Sequence, residues 1–140
     1  MSFLLDTCVF SELVKKEPQQ SVLPWLERQR EEDLFLSVLT FGELQQGIAK
    51  LPDSARRARL EEWTDRELYD RFAGQLLDVD YHVGSLAGKR QGTAESEGLT
   101  LPIVDSLIAA TAIHHRLVVV TRNQSDLTRC GADVVNPWEA

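Results

Sequence analysis

In four places an acidic or amide residue stands where an apolar run ends. They are Asp6 in Leu4-Leu5-Asp6-Thr7, Glu43 in Thr40-Phe41-Gly42-Glu43, Asp105 in Ile103-Val104-Asp105-Ser106, and the pair Asn123 and Asp126 after Val118-Val119-Val120-Thr121. An ionised carboxylate in such a setting is costly to bury unless it is paired or hydrogen-bonded. Two carboxylates about 4 Å apart repel by about 4 kcal/mol at an effective dielectric of roughly 20, so acids that converge call for a counter-ion. Oxygen donors alone select a hard cation, Mg²⁺ with Mn²⁺ as a substitute. His82, His114, His115, Cys8 and Cys130 fall outside these positions, which disfavours zinc.

Each position also has an ordinary reading. Asp between a strand and a helix is a favoured N-cap, and Thr40 three residues before Glu43 has the capping-box spacing. Asn123 and Asp126 are common loop and cap residues. Asp105 is the hardest to explain this way, because the stretch from Leu101 to Ile113 is apolar on nearly every face and so predicts a buried helix. The helix dipole favours an acid near the N-terminus by about 0.3–1 kcal/mol, too little to offset a buried charge. Asp105 therefore requires a cation or a polar cavity.

The elements that must position these groups alternate. Short strand-like runs at Phe3–Leu5, Leu34–Val38, Leu76–Val79, Leu117–Thr121 and Asp133–Val135 are interleaved with helical patterns at Val9–Lys16, Val22–Arg30, Thr40–Lys50, Ser54–Phe72, Tyr81–Glu95 and Pro102–His115. This predicts an α/β fold with a central, mainly parallel sheet flanked by helices on both faces. In such a sheet ligands bind at the carboxyl ends of the strands, where Asp6, Glu43, Asn123 and Asp126 would lie. Gly84, Gly88 and Gly92, spaced by four, predict close packing of one helix face against a neighbour.

The 140 residues, 43% of them apolar, suit a single domain over 1–140. No repeat, linker or low-complexity segment interrupts them. Two cysteines without CxxC spacing suggest neither a disulfide framework nor a metal finger, and the expected setting is cytoplasmic. The N-terminus has neither the basic start of a signal peptide nor the length of a membrane span. A net charge of −7 argues against coating nucleic acid by bulk electrostatics. A nuclease stays open, since a carboxylate cluster counts as negative only until it binds its cation.

The segments LLDTCVFSEL, LTFGELQQGI, LPIVDSLIAATA and VVVTRNQSDL, in this order and spacing, resemble those of PIN-domain ribonucleases. The closer resemblance is to the VapC toxins of type II toxin–antitoxin pairs, including the FitB-like branch, and it spans essentially the whole chain. It implies a PIN-like fold and a Mg²⁺-dependent endoribonuclease that cleaves RNA phosphodiester bonds with metal-activated water. Asp6 and Asp105 then match the principal metal ligands and Glu43 completes the acidic triad. Thr7 matches the hydroxyl residue that orients the first carboxylate, and Thr121 the hydroxyl of the fourth motif. Many PIN domains carry Asp where this chain has Asn123, which leaves Asp126 as the nearest acid for a fourth ligand. The resemblance also implies a cognate antitoxin and a homodimer.

A grip on RNA must come from local cations. Arg122 beside the fourth motif is the first candidate, with Arg129, Lys89, Arg90 and the run Arg56, Arg57 and Arg59 behind it. Two other readings compete. A haloacid-dehalogenase-like phosphotransferase would use Asp6 as nucleophile, but it usually carries a second Asp two residues later, where Cys8 stands. An inactive PIN-like module would bind RNA or a partner without needing mutually repelling acids.

Overall fold

The computed structural model describes residues 1–139. Strand β1 (Phe3–Leu5) leads into α1 (Thr7–Leu13), α2 (Val22–Glu27), β2 (Leu34–Ser37) and α3 (Val38–Ala49). Then come α4 (Ala55–Glu62), a π-helical stretch Trp63–Leu68, α5 (Tyr69–Phe72), β3 (Leu76–Leu77), α6 (Tyr81–Ser96), α7 (Ile103–His115), β4 (Val118–Val120), α8 (Gln124–Arg129) and β5 (Val134–Val135). The strands form one all-parallel sheet in the order β3-β2-β1-β4-β5. This is the α/β arrangement expected from the alternation, and the strand positions agree to within two residues at each end.

Alternation along β1 builds two cores. Phe3 and Leu5 join Val9, Phe10, Trp25, Leu34 and Leu36 on one face, while Leu4 joins Ile108, Ala109, Val119 and Leu127 on the other. Successive strand side chains point to opposite faces, so one three-residue strand anchors both layers. Since β2 and β3 lie to one side of β1 and β4 and β5 to the other, the chain reverses direction across the sheet between β1 and β4. A crevice opens at the carboxyl ends of the two strands at such a switch point. Asp6 follows β1 and Thr121 follows β4.

Three expectations change. Ser37, not Thr40, caps α3: its hydroxyl accepts the Leu39 N–H at 3.0 Å, because β2 runs directly into the helix with no loop between. Thr40 is buried inside the first turn, which removes the capping box and frees Glu43 for another partner. The glycine stripe is not a packing face, since a Cβ at Gly84, Gly88 or Gly92 would meet nothing within 4 Å. The face that packs is Val83 and Ala87 against Ala110 of α7; each lies one position before a glycine, about 100° around the helix. Finally, α7 is buried through Ser106 and Ile108 to Ala112, but its first turn emerges from the core and Asp105 is only half-buried.

Candidate active site

Asp6 is the deeply buried carboxylate, 6% exposed. It is the N-cap of α1: Oδ1 accepts the Thr7 N–H at 2.9 Å, and Oδ2 accepts the Thr121 hydroxyl at 2.8 Å. Its own N–H donates to the Val120 carbonyl at 3.0 Å, which fastens the end of β1 to the end of β4. Thr121 is wholly buried, and its oxygen also accepts the Asn123 N–H at 3.0 Å. One hydroxyl thus fixes both the first carboxylate and the turn of the fourth motif.

The Thr7 side chain does something other than expected. Its hydroxyl donates not to Asp6 but to Glu43 Oε1 at 2.5 Å, so the residue after the first acid orients the second. Thr121, 115 positions away, orients the first. The reason is local: the α1 cap already satisfies Asp6 from the Thr7 backbone, which leaves the hydroxyl free to reach α3.

Asp105, in the first turn of α7, reports on the cluster as a whole. Burial is the largest influence raising its carboxyl above the ordinary range, followed by the charges of Asp6, Asp126 and Glu43, while Arg129 opposes them. Acids from four separate segments therefore share one field. Asp126 belongs to that field and accepts Arg129 Nη2 at 2.6 Å, whereas the exposed Asn123 contributes its backbone N–H to Thr121. Of the two candidates for the fourth position, only Asp126 brings charge to the cluster.

Among the described residues no group of three or more His, Cys, Asp or Glu side chains is placed to hold a metal ion by itself. An open set suits Mg²⁺, which keeps several waters and takes one or two carboxylates together with substrate phosphate oxygens. The donors are all oxygen, and the acids repel one another as they stand, so these residues fit a hard divalent cation.

Several contacts were not legible from motifs. Cys8 Sγ lies 3.8 Å from Asp6 Oδ2 and 3.7 Å from Thr121 Oγ1, and it accepts the Arg122 N–H at 3.4 Å. Burial, then the Asp6 charge, push its thiol up, so it stays a neutral filler beside the acid. The Arg122 guanidinium is exposed and lies 6.0 Å from the centre of the Trp138 ring. Trp138 Nε1 in turn donates to Glu12 at 2.6 Å. The only hint of this in the sequence was a lone Glu on the apolar side of α1. His82 stacks on His114 with ring centres 5.1 Å apart.

The family model for the PIN domain matches residues 3–130. A VapC ribonuclease of Sinorhizobium fredii is 37% identical over 97% of this chain and 97% of its own length. Toxin FitB of Neisseria gonorrhoeae is 34% identical, covering 96% of this chain and 97% of its own. The crystal structure of FitAcB from Neisseria gonorrhoeae superposes with a TM-score of 0.92 at 33% identity, covering 99% of both chains.

Proposed function

Since the chain belongs to the PIN-domain family, we propose that it is the toxin of a toxin–antitoxin pair and a Mg²⁺-dependent endoribonuclease. The observation that carries this reading is the shared field of four acids at one sheet edge: burial first, then the charges of Asp6, Asp126 and Glu43, raise the Asp105 carboxyl. Mutual repulsion of this kind is tolerated where a cation or a transferring phosphate has to be met. The similarity to a VapC ribonuclease and to FitB over nearly the whole chain supports the activity and the partner class.

Asp6 and Asp105 would hold the ion, with Glu43 and Asp126 completing the acidic wall. When bound, Mg²⁺ supplies a lowered pKa for the attacking water and neutralises charge that builds on the phosphate. The chain's own part is preorganisation. Thr121 and the Thr7 N–H hold both oxygens of Asp6, and the Thr7 hydroxyl holds Glu43, so neither acid has to reorient when substrate arrives. Arg122 rests on Trp138 at the rim, where it can meet a phosphate. The phosphotransferase reading has no comparable support, since Cys8 fills the position of its second acid.

An antitoxin has a place to dock. A cavity of about 350 Å³ between α1, α2 and the helical stretch through Trp63 is lined by Phe10, Leu13, Leu23, Leu26 and Phe72, and Leu23 is 47% exposed. An apolar groove of this kind suits one face of an amphipathic helix. The homodimer is proposed from the family alone.

The test is cleavage of RNA by the purified protein with Mg²⁺, with EDTA, and by Asp6→Asn and Asp105→Asn. Cleavage is expected only from the unaltered protein with the divalent ion. Full Mg²⁺-dependent cleavage by either variant overturns the site, and RNA binding without turnover by the unaltered protein favours the inactive module.

A further inference from the structure

Three of the basic residues scattered along the sequence converge. Lys89 and Arg90 on α6 and Arg129 at the end of α8 line one cavity of about 540 Å³, walled by Leu86, Leu99 and Leu101. Arg90 is built into it. Its guanidinium lies against Gly131, where a Cβ would collide with it, and Gly131 has a φ of +94° that itself favours glycine. Arg90 Nη1 reaches the Cys130 carbonyl at 3.5 Å, but its buried Nε has no hydrogen-bond partner. Among the described residues neither Lys89 nor Arg90 has a carboxylate within 4.0 Å, although Glu97 lines the same cavity. A guanidinium held in place without a counter-charge is a site for an anion.

We propose that this groove binds the phosphodiester backbone of the RNA strand on one side of the bond to be cut, with Lys89 and Arg90 gripping its phosphates. The proposal rests on the ribonuclease reading and adds where the substrate lies. Arg129 links groove to acids: it lines the cavity, pairs with Asp126 at 2.6 Å and acts on Asp105. A strand leaving the acidic site toward α6 passes from Arg129 to Arg90 and Lys89. In a chain of net charge −7 such a local track is what offsets the general repulsion of RNA. The leucine walls suit the apolar faces of sugar and base. An acidic peptide would satisfy the same cations, but only RNA would also carry a phosphodiester from the groove to the acids as substrate.

The experiment measures binding of a short, mixed-sequence, fluorescent single-stranded RNA by anisotropy across a salt series. The Asp6→Asn protein is the parent, so that nothing is cleaved. Adding Lys89→Gln and Arg90→Gln is expected to weaken binding roughly tenfold and to flatten the slope of log affinity against log salt by about 1.4, at about 0.7 for each single-strand phosphate left without its cation. Arg28→Gln with Lys50→Gln removes the same charge from exposed positions outside the groove and is expected to leave both unchanged. In the cleaving protein the groove variants raise KM and leave kcat within about twofold. If Arg90→Gln fails to fold, Lys89→Gln alone is read for half the slope change. Parental affinity and slope in the groove variants overturn the proposal, as does an equal loss in the Arg28 and Lys50 control. Lost antitoxin binding with unchanged RNA binding makes the groove a protein site and overturns it too. Absence of cleavage by the unaltered protein removes the ribonuclease reading but leaves the binding comparison to decide the groove.

Discussion

The Thr121 hydroxyl donates to Asp6 Oδ2 at 2.8 Å inside the protein, so the end of β4 holds the acid at the end of β1. A hydrogen bond to a charged, buried group contributes about 1.5–3 kcal/mol. Thr121→Val should lose that amount in urea denaturation, and Thr121→Ser should lose much less. In the Asp6→Asn background the cost of Thr121→Val should shrink, because the charge it serves is gone, and a double-mutant cycle reads the difference.

Thr7→Val separates orientation from stability. The bond to Glu43 is only partly buried, so the fold should weaken by about 1 kcal/mol or less. RNA cleavage should nonetheless slow roughly tenfold in single turnover, about 1.4 kcal/mol of transition-state stabilisation, because Glu43 is no longer held in place. Thr7→Ser should restore the rate. A Thr7→Val protein with an unchanged rate would remove Glu43 orientation from the mechanism.

Asp105 should make the metal-free protein less stable as pH rises. Burial, then Asp6, Asp126 and Glu43, raise its folded carboxyl above the unfolded value, so the folded state binds more protons between the two. Stability is therefore full below the ordinary carboxylate range and is lost as pH rises through the raised value. Asp105→Asn should flatten this part of the profile in EDTA and raise the melting temperature at neutral pH. Thermal melts across a pH series check the direction.

Mg²⁺ should reverse that loss. A ligand that binds only the folded state stabilises it by about 2.7 kcal/mol at a hundredfold excess over its Kd. The melting temperature of the unaltered protein should climb with Mg²⁺, and that of Asp6→Asn or Asp105→Asn should climb little. An equal rise in all three proteins would place the ion elsewhere.

Trp138→Phe tests the brace at the C-terminal segment. The Trp138 N–H, then Lys15, hold the Glu12 carboxyl below its ordinary range. Stabilisation from this group is present above the ordinary carboxylate pKa and lost as pH falls through the lowered one. The phenyl variant keeps a ring face beside Arg122 and loses the donor to Glu12. It should melt lower than the unaltered protein at neutral pH, with the gap closing in acid.

Much of this protein was legible one residue at a time. Three-residue apolar runs followed by helical periodicity require strands covered on both faces, and the parallel sheet follows from that pattern. Asp105 in an otherwise apolar segment, and Asp6 at the end of a strand, stood out because a carboxylate there conflicts with its neighbours. Side-chain partners were not legible in the same way. Thr40 has capping-box spacing, yet Ser37 caps the helix, because where a strand ends decides which residue is first in line. The glycines of α6 had the spacing of a packing face, yet the helix is turned so that Val83 and Ala87 meet α7. The Thr121 hydroxyl, not that of Thr7, holds Asp6, since which hydroxyl reaches which acid depends on the lateral order of β1 and β4. Residue types and periodicity determined the layers and the acids, because burial and charge act locally. The strand order alone decided that Thr121 holds Asp6, and tertiary packing alone brought Lys89, Arg90 and Arg129 to one groove, because those contacts join segments that sequence distance keeps apart.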